Sequence, residues 1–401
     1  MELSGTVVAN RCHIAFFGRV NSGKSSLINA ITNQDVSIVS NVEGTTTDVV
    51  KKTMEILPLG PVVLIDTAGI DDNSNLGALR KEKTFKTLDK TDIAIIVVDI
   101  NKGLTNYEND LVELLKNKKI PYLIVYNKLD LSSKTLDIKE NELIVSAKTK
   151  ENIEFLKEKI ASLYKKEGKK EKHILENKIA ENDIVLLCMP QDDSAPKNRL
   201  ILPQTLTIRE ILDNKAICIC SQLEQLEKTL KSLNNPPKLV ITDSQVFKEV
   251  DKIVEKNIPL TSFSILFANY KGDLKTLVKG AKKIDELKDG DKILISEACT
   301  HHRQCNDIGS VKLPNWLKNY TKKDLTFDFS SGGGYPNDLE KYSLIIHCGA
   351  CMLNEAEMKS RIEKARLKNV EIVNYGIAIA YMNGILKRSL EIFPEISSLL
   401  Q

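Results

Sequence analysis

Apolar residues along this chain fall into short runs, and amphipathic stretches separate them. Over residues 1–165 five runs rich in Ile and Val stand out, with the sequences CHIAFFG, VVLIDTAG, DIAIIVVDI, PYLIVYNK and ELIVSA. Continuous apolar runs of this length are typical of strands buried on both faces, as in a parallel sheet. Segments of helical periodicity lie between them, such as KSSLINAITN and ENIEFLKEKIASLYK. This alternation predicts a parallel α/β sheet with right-handed crossovers.

The same alternation continues after a charged, apolar-poor run from Tyr164 to His173, which we interpret as a linker. The next apolar runs are DIVLLCMP, AICICSQ, KLVITDS and PLTSFSIL, and they predict a small second α/β domain. DKILISEAC, YSLIIHC and VEIVNYGIAIAYMNG predict a third. We therefore expect an α/β protein with domains at 1–168, 173–265 and 266–401.

A phosphate-binding motif follows the first predicted strand. GRVNSGKSS fits the pattern G-x-x-x-x-G-K-[ST] and opens a helix, which is the context this motif requires. Its glycines allow backbone amides to wrap a phosphate, the lysine reaches the β- and γ-phosphates, and the serine hydroxyl ligates Mg²⁺. The candidate residues of this loop are Gly18, Asn21, Ser22, Gly23, Lys24, Ser25 and Ser26.

Three further motifs follow in the order that a guanine-nucleotide site needs. LIDTAG places Asp66 at the end of an apolar strand, where it can bind the Mg²⁺ shell. In NKLD, the carboxylate of Asp130 can accept two hydrogen bonds from guanine N1–H and the exocyclic amine, a donor pair that adenine lacks. SAK begins at Ser146, where a contact to guanine O6 is expected. The candidate residues of these motifs are Asp66, Gly69, Asn127, Lys128, Asp130, Ser146, Ala147 and Lys148.

Together these motifs resemble the small-GTPase superfamily over residues 10–165. Ile70 stands where Ras-like proteins carry the glutamine that positions water, and Asn21 lies within the phosphate loop. With GTTTD at Gly44–Asp48, this pattern is similar to the tRNA-modification and ribosome-assembly GTPases of the Era/MnmE type. That resemblance implies that Asn21 helps to hold K⁺ and that Thr46 meets Mg²⁺; the alternative is that Asn21 is a loop-capping asparagine. The implied catalytic residues are Lys24, Asp66 and Thr46.

Soft metal ligands are concentrated in two segments of the predicted third domain. They read Cys299-x-His301 and His347-Cys348-x-x-Cys351, each at the end of an apolar run. Such thiolates could hold structural zinc or an iron–sulfur cluster, and the spacing alone does not distinguish the two. A redox dithiol or cysteines buried as small hydrophobes are the other interpretations. A fourth zinc ligand could come from His301, His302, His347 or Cys305, whereas Cys12, Cys188, Cys218 and Cys220 are predicted core residues.

Across the whole chain, a GTPase followed by a small α/β domain and by C-x-H…H-C-x-x-C resembles the [FeFe]-hydrogenase maturation GTPases, the HydF family. SAPKNRLILPQ also resembles that family's middle domain. The resemblance implies a GTP-hydrolysing scaffold that carries the diiron subcluster of the hydrogenase active site to apo-[FeFe]-hydrogenase, with radical-SAM maturases as partners and a homodimer as its assembly. It also implies a [4Fe–4S] cluster with one exchangeable position, to which Asp192 or Asp193 could contribute. The residues concerned are Cys299, Cys348 and Cys351 as ligands, and His301 and His347 as labile ligands or hydrogen-bond donors beside the cluster.

Composition separates this interpretation from its main rival. Of 401 residues, 57 are basic and 54 acidic, which leaves a net charge of +3 and argues against a dedicated nucleic-acid binder. No apolar run is long enough to span a membrane, and the N-terminus lacks signal-peptide features, so we expect a cytoplasmic protein. The rival is an RNA-handling Era/MnmE-like GTPase with a structural zinc site. It shares the N-terminal motifs but lacks a recognisable RNA-binding module.

Overall fold

The computed structural model describes eight stretches of the chain, which form two compact units. The units are residues 1–170 and 171–401. Among the described residues, no helix is both long and apolar enough to cross a bilayer. The described stretches are 8–32, 50–57, 59–67, 84–132, 136–166, 172–190, 200–298 and 307–400.

The first unit is built on one six-stranded sheet with the strand order β2-β3-β1-β4-β5-β6. β2 pairs antiparallel with β3, and the other pairs are parallel. The strands are β1 (Cys12–Phe17), β2 (Val50–Ile56), β3 (Gly60–Asp66), β4 (Ile93–Asp99), β5 (Tyr122–Asn127) and β6 (Glu142–Ile144). The helices are α1 (Lys24–Thr32), α2 (84–88), α3 (Asn106–Asn117) and α4 (Ile153–Lys166).

Apolar side chains cover both faces of this sheet. Ile14 and Phe16 of β1 point into one core with residues of α1 and α4, whereas Ala15 and Phe17 point into a second core with residues of α3. Every residue of β4 is buried, as expected for a central parallel strand. β2 was absent from the prediction because its sequence, VKKTMEI, alternates charged and apolar residues and lies at an edge.

The second unit contains two four-stranded parallel sheets with orders β10-β9-β7-β8 and β12-β11-β13-β14. One hydrophobic core includes residues of both sheets. The strands are β7 (Ile184–Cys188), β8 (Ile217–Ser221), β9 (Leu239–Thr242), β10 (Leu260–Ser262), β11 (Lys292–Glu297), β12 (Thr326–Ser331), β13 (Leu344–His347) and β14 (Glu371–Asn374). The helices are α5 (Leu202–Asp213), α6 (Leu223–Ser232), α7 (Phe247–Ile253), α8 (Phe263–Lys271), α9 (Leu274–Lys282), α10 (Leu313–Thr321), α11 (Glu355–Leu367), α12 (Tyr375–Met382), α13 (Leu386–Ser389) and α14 (Pro394–Ser397).

The α/β fold class, with a P-loop domain followed by further α/β sheets, is thereby confirmed. The division of the second unit at residues 265 and 266 remains a prediction, since one core joins its two sheets. The prediction that all four remaining cysteines lie in the core is wrong for Cys220, which is exposed. β8 is an edge strand, so its side chains have a neighbouring strand on one side only.

Arg388 ties the C-terminal helices to the first sheet of the second unit. Its guanidinium donates to the Asp251 carboxylate at 3.1 Å and to the carbonyl oxygens of Lys256 and Ile258 at 3.2 and 2.8 Å. Burial raises the pKa of Asp251, but hydrogen bonds from Lys256 and Arg388 outweigh burial and hold that pKa below its usual value. Because Thr261 also donates to the carbonyl of Ser389 at 2.8 Å, the end of the chain is bonded into the unit at two places.

Candidate functional site

The phosphate-binding loop connects β1 to α1 in a conformation that needs its two motif glycines. Gly18 has φ +146°, and a Cβ there would lie 2.3 Å from the carbonyl oxygen of Val97. Gly23 has φ +90°, and a Cβ there would lie 2.3 Å from Nδ2 of Asn127. A side chain at either position would therefore be strained by the backbone and would collide with the loop's neighbours.

Lys24 and Asn21 take different positions in this loop. The buried ammonium of Lys24 donates to the carbonyl oxygens of Gly18 and Arg19 at 2.9 and 3.0 Å. Asn21 is exposed and has a left-handed backbone with φ 62°. Ser26 is also exposed, whereas Ser22 is buried and its Oγ has no hydrogen-bond partner within the described stretches.

Ser25 and Asp66 meet where the motifs predict a Mg²⁺ site. Ser25 Oγ donates to Asp66 Oδ2 at 2.6 Å, and Asp66 Oδ1 is buried with no hydrogen-bond partner among the described residues. Burial raises the pKa of Asp66, and the bond from Ser25 and the charge of Lys24 oppose that shift only in part. A buried carboxylate oxygen without a partner, beside a serine hydroxyl, is an oxygen-rich donor set that fits a hard divalent cation.

The predicted guanine-binding motifs come together at the carboxyl ends of β5 and β6. The buried amide of Asn127 donates to the Ser22 carbonyl at 3.2 Å and accepts from the Ala147 amide at 3.0 Å, which links the phosphate loop to the SAK motif. Ser146 Oγ donates to Asp130 Oδ1 at 2.7 Å, and Lys148 Nζ lies 4.0 Å from Asp130 Oδ2. Asp130 is exposed as a whole residue, but only 12% of its side chain is exposed, so Ser146 and the surrounding residues hold the carboxylate in a restricted position.

Lys128 lies between Asn127 and Asp130 in the NKLD motif, and its side chain is held by a partner that the sequence did not identify. Its backbone is left-handed, with φ 73°, and its ammonium donates to Asp99 Oδ2 at 2.7 Å. Asp99 is the last residue of β4, and bonds from Lys128 and Asn101 lower its pKa despite burial. The sequence did offer one signal for Asp99, because it is an acidic residue at the end of an apolar strand, but it belongs to none of the nucleotide-binding motifs.

A second candidate site follows β13, where the HCGAC sequence leaves the sheet. Cys348 and Cys351 are half-buried in the turn after His347. The amide of Ala298, at the end of β11, donates to Cys348 Sγ at 3.1 Å. Ala350 has φ 55°, a left-handed conformation that is uncommon for alanine and often occurs at functional sites. Two half-buried sulfurs at a sheet's carboxyl edge, one of which accepts an amide hydrogen bond, are suited to holding a metal or cluster.

Two residues that contact the HCGAC turn, Lys271 and Asn354, fix the segment between Cys351 and α11. The buried ammonium of Lys271 donates to the Leu353 carbonyl at 2.6 Å and lies 3.5 Å from that of Cys351. Burial lowers the pKa of Lys271 to about 8, although nearby acidic groups oppose the shift. The Asn354 side chain accepts from the Glu357 amide at 3.1 Å and thereby caps α11.

His347 is completely buried and engaged through both ring nitrogens. Nδ1 lies 2.8 Å from the Cys348 carbonyl oxygen, and Nε2 lies 2.9 Å from Nη1 of Arg361. Burial and the neighbouring guanidinium lower the pKa of His347 to about 3, so the imidazole is neutral at physiological pH. Sequence reasoning missed Arg361, because it lies within a helix of many charged residues and belongs to no motif.

Several predicted site residues lie outside the described residues. Within the part of the chain that is described, no three His, Cys, Asp or Glu side chains are grouped to hold a metal ion. A third ligand beside Cys348 and Cys351 would therefore have to come from another segment, such as 299–306. The predicted residues outside the description are Thr46, Gly69, Asp192, Asp193, Cys299, His301, His302 and Cys305.

Comparison with protein-family models gives three matches that cover most of the chain. Residues 174–272 match the hydrogen maturase F dimerization domain, and residues 275–392 match the hydrogen maturase F tetramerization domain. These two adjacent matches, from one family, cover more than half of the sequence. The chain belongs to the hydrogen maturase F family. The third match places residues 13–128 in the 50S ribosome-binding GTPase family, so the N-terminal domain is a GTPase domain.

Curated relatives match this hydrogen maturase F chain over the GTPase domain. The tRNA modification GTPase MnmE of Mycoplasmoides gallisepticum is 36% identical over 162 residues, which are 39% of this chain and 36% of that protein. GTPase Der of Mycoplasmopsis pulmonis is 40% identical over 125 residues, 30% of this chain and 28% of that protein. The match therefore spans only about a third of the length of these relatives. A solved structure of a probable GTP-binding protein engB aligns with a TM-score of 0.32 and 22% identity, over 39% of this chain and all of that one.

The hydrogen maturase F assignment confirms the family resemblance drawn from the sequence. The GTPase match supports binding of GTP or GDP with Mg²⁺. Domains named for dimerization and tetramerization support assembly of this chain into oligomers.

Proposed function

We propose that this protein is a GTP-hydrolysing scaffold that carries the diiron subcluster of the [FeFe]-hydrogenase active site and delivers it to the apo-enzyme. The observation that carries the proposal is the combination, in one chain, of a GTPase domain and two hydrogen maturase F domains, with the HCGAC turn in the second of those two. The same combination favours this function over the RNA-handling rival, whose likeness to this chain is confined to the GTPase domain.

In the proposed hydrolysis, a water molecule attacks the γ-phosphate and GDP leaves. Lys24, which the loop carbonyls hold at its centre, contacts the β- and γ-phosphates and stabilises the charge that develops on their oxygens. Ser25 and Asp66, with Thr46, would hold Mg²⁺, whose charge would stabilise the negative charge of the phosphates. K⁺ beside Asn21 would supply further positive charge, and the exposed, left-handed position of that asparagine leaves its side chain available for this role.

Recognition of the base rests on the residues that surround Asp130. Its carboxylate accepts from the guanine N1–H and amine, while Ser146 holds one of its oxygens in place. Asn127 joins the base-binding motifs to the phosphate loop, so both ends of the nucleotide contact one connected structure. The remaining nucleotide contacts come from Gly69, Lys128, Ala147 and Lys148, as the resemblance implies.

Cys299, Cys348 and Cys351 hold a [4Fe–4S] cluster in this proposal, and the cluster would supply an iron with an exchangeable position. Cys348 and Cys351 are half-buried and one sulfur already accepts an amide hydrogen bond, which suits a protected but accessible site. His301 remains a candidate labile ligand. A fourth thiolate from Cys305 would close the site and contradict the carrier role.

Oligomerisation fits the position of β8, which among the described residues forms an edge of the first sheet in the second unit. β8 exposes Ile217, whereas β7 and β9 are buried between their neighbours. An exposed edge strand with apolar side chains is a common site of pairing with a second chain. We propose a cytoplasmic homodimer that docks in turn with the radical-SAM maturases and with apo-hydrogenase.

The test is activation of a purified apo-[FeFe]-hydrogenase by this protein isolated from cells that also express the radical-SAM maturases. We expect hydrogen evolution with the wild type and with Cys220→Ser, and a loss of at least about tenfold with Cys348→Ala or Cys351→Ala. Equal activation by all four proteins would contradict the scaffold role. Stoichiometric zinc, together with an RNA mobility shift, would instead support the RNA-handling rival.

A further inference from the structure

The protonation of His347 follows from its partners. Its side chain has no exposed surface, and Nε2 lies 2.9 Å from Nη1 of Arg361. A guanidinium has donors and no acceptor, so Nε2 must accept that hydrogen bond. In a neutral imidazole the proton is then on Nδ1, which donates to the Cys348 carbonyl oxygen at 2.8 Å. In this arrangement neither ring nitrogen has a lone pair free for a metal.

Arg361 contacts the segments around Cys348 as well as His347. Nη2 donates to the Gly332 carbonyl at 2.7 Å, in the glycine-rich loop after β12. Nη1 also lies 3.5 Å from Ser296 Oγ, and the carbonyl of Ser296 accepts from the Cys348 amide at 2.9 Å. The guanidinium carbon lies 5.0 Å from the centre of the Tyr335 ring. One side chain thus joins the ends of three neighbouring strands.

The charge of Arg361 is buried and compensated. Only 3% of the residue is exposed, and Nη2 donates to Oε1 of Glu357 at 3.0 Å, one helical turn away. A buried ion pair is weak evidence for stability, because desolvation offsets much of the attraction between its charges. The rigid, planar fork of a guanidinium, however, directs its donors to several fixed acceptors in a defined geometry, which the flexible ammonium of lysine reproduces only in part and an apolar residue not at all.

We propose that Arg361 is the positioning residue of the cysteine turn, and that it fixes His347 as a hydrogen-bond donor to Cys348 and so prevents the imidazole from binding metal. The part that concerns a cluster rests on the proposed function, whereas the part that concerns the imidazole does not. Under this proposal the exchangeable position of the cluster belongs to a residue other than His347.

The first test uses nitrogen NMR of the full-length, cluster-free protein labelled with ¹⁵N-histidine, with His347→Gln to assign the resonance. We expect a neutral His347 with its proton on Nδ1 in the wild type. In Arg361→Met we expect that signal to move to the Nε2–H form or to a mixture, and Arg361→Lys should restore it in part. Arg366→Met, which removes an exposed arginine of the same helix, should leave the signal unchanged. A proton on Nε2 in the wild type, or an unchanged signal in Arg361→Met, would overturn the proposal.

The second test measures how fast a chelator removes iron from anaerobically reconstituted protein. Loss of a residue that orients metal ligands typically weakens a site by about 10- to 100-fold, so we expect release at least about tenfold faster from Arg361→Met than from Arg366→Met. Equal rates in these two variants would refute the positioning role. If the wild type takes up no iron, the proposed cluster fails, and the NMR result still decides whether Arg361 sets the state of His347.

Discussion

Replacement of Asp66 by asparagine should make the nucleotide-free protein more stable and make the protein insensitive to Mg²⁺. One carboxylate oxygen accepts from Ser25 at 2.6 Å, while the other is buried and has no hydrogen-bond partner in the part of the chain that the structure describes. Burial raises the pKa of Asp66, which means that the folded state disfavours its charge. The substitution removes that charge and leaves the shape of the side chain almost unchanged.

The size of this effect follows from the unpaired oxygen. A buried polar group without a partner destabilises a fold by about 1–3 kcal/mol, and a neutral amide in the place of this carboxylate is less costly to bury because it carries no charge. We therefore expect Asp66→Asn to raise the free energy of unfolding of the GTPase domain by about 1 kcal/mol without nucleotide. A ligand at 100 times its Kd stabilises a fold by about 2.7 kcal/mol. When Mg²⁺ is added to the GDP-bound proteins at such a concentration, the wild type should gain this stability and Asp66→Asn should not. The order of stability should thus reverse when Mg²⁺–GDP is added.

Urea unfolding followed by circular dichroism, with and without Mg²⁺ and GDP, measures both quantities. Asp99→Asn is the matched control, since this carboxylate also ends a strand but is paired with Lys128 at 2.7 Å. It should lose stability without nucleotide and retain the response to Mg²⁺. If Asp66→Asn destabilises the nucleotide-free protein, or still responds to Mg²⁺ as the wild type does, the assignment of the Asp66 carboxylate to the Mg²⁺ site is wrong.

Three other substitutions test the base site and the packing of the second unit. Gly280→Ala should destabilise the protein by about 2 kcal/mol despite the better helix propensity of alanine, because the new Cβ would lie 2.1 Å from the Ile372 carbonyl oxygen; thermal unfolding measures this. Asp130→Asn should weaken GDP binding by at least about 100-fold and favour xanthosine diphosphate, since an amide donates to the 2-oxo group of xanthine; fluorescence titration measures both. Arg388→Met should lower the unfolding free energy by about 2 kcal/mol at pH 7. Asp251 has a lowered folded-state pKa, so the stability that its charge contributes is present above about pH 4 and is lost as the pH falls through that pKa. In urea unfolding, the difference in stability between wild type and Arg388→Met should therefore become smaller at low pH.

Each of these predictions has a control and a contradicting result. Lys279 lies on the exposed side of the same helix, so Lys279→Ala should change the melting temperature by no more than a few degrees from that of the wild type. If Gly280→Ala changed it as little as Lys279→Ala does, the steric argument would be wrong. Asp137→Asn should retain guanine preference. If Asp130→Asn also retained the preference for guanine, residues other than Asp130 would have to recognise the base. Arg209→Met removes an exposed pair and should change stability little, so a similar loss at both arginines would contradict the role of Arg388.

The elements that sequence predicted well are those with continuous apolar runs. β4, for example, is fully buried, and its short run of mostly β-branched apolar residues is typical of a central parallel strand. The edge strands β2 and β12 were missed because they carry charged and polar residues on exposed positions, which resemble loop sequence. The same limitation explains Cys220, whose alternation with Cys218 suggests one buried face although the strand is an edge.

Motif spacing predicted which side chains surround the nucleotide, but the residues that hold those side chains belong to no motif. Asp99 pairs with Lys128 from 29 positions away in the sequence, and its register across the sheet could not be inferred. Arg361 reaches His347 because α11 packs over the carboxyl edge of its sheet, and a helical pattern alone does not reveal that a charged residue is buried. Tertiary packing determines both contacts.

The most direct test of the central claim is EPR spectroscopy of the anaerobically reconstituted, reduced protein, with iron and zinc measured on the same samples. We predict a [4Fe–4S]⁺ signal in the wild type and in Cys220→Ser. The signal should be absent in Cys299→Ala, Cys348→Ala and Cys351→Ala. Stoichiometric zinc without iron, or an undiminished signal in all three alanine variants, would contradict the proposed iron–sulfur scaffold.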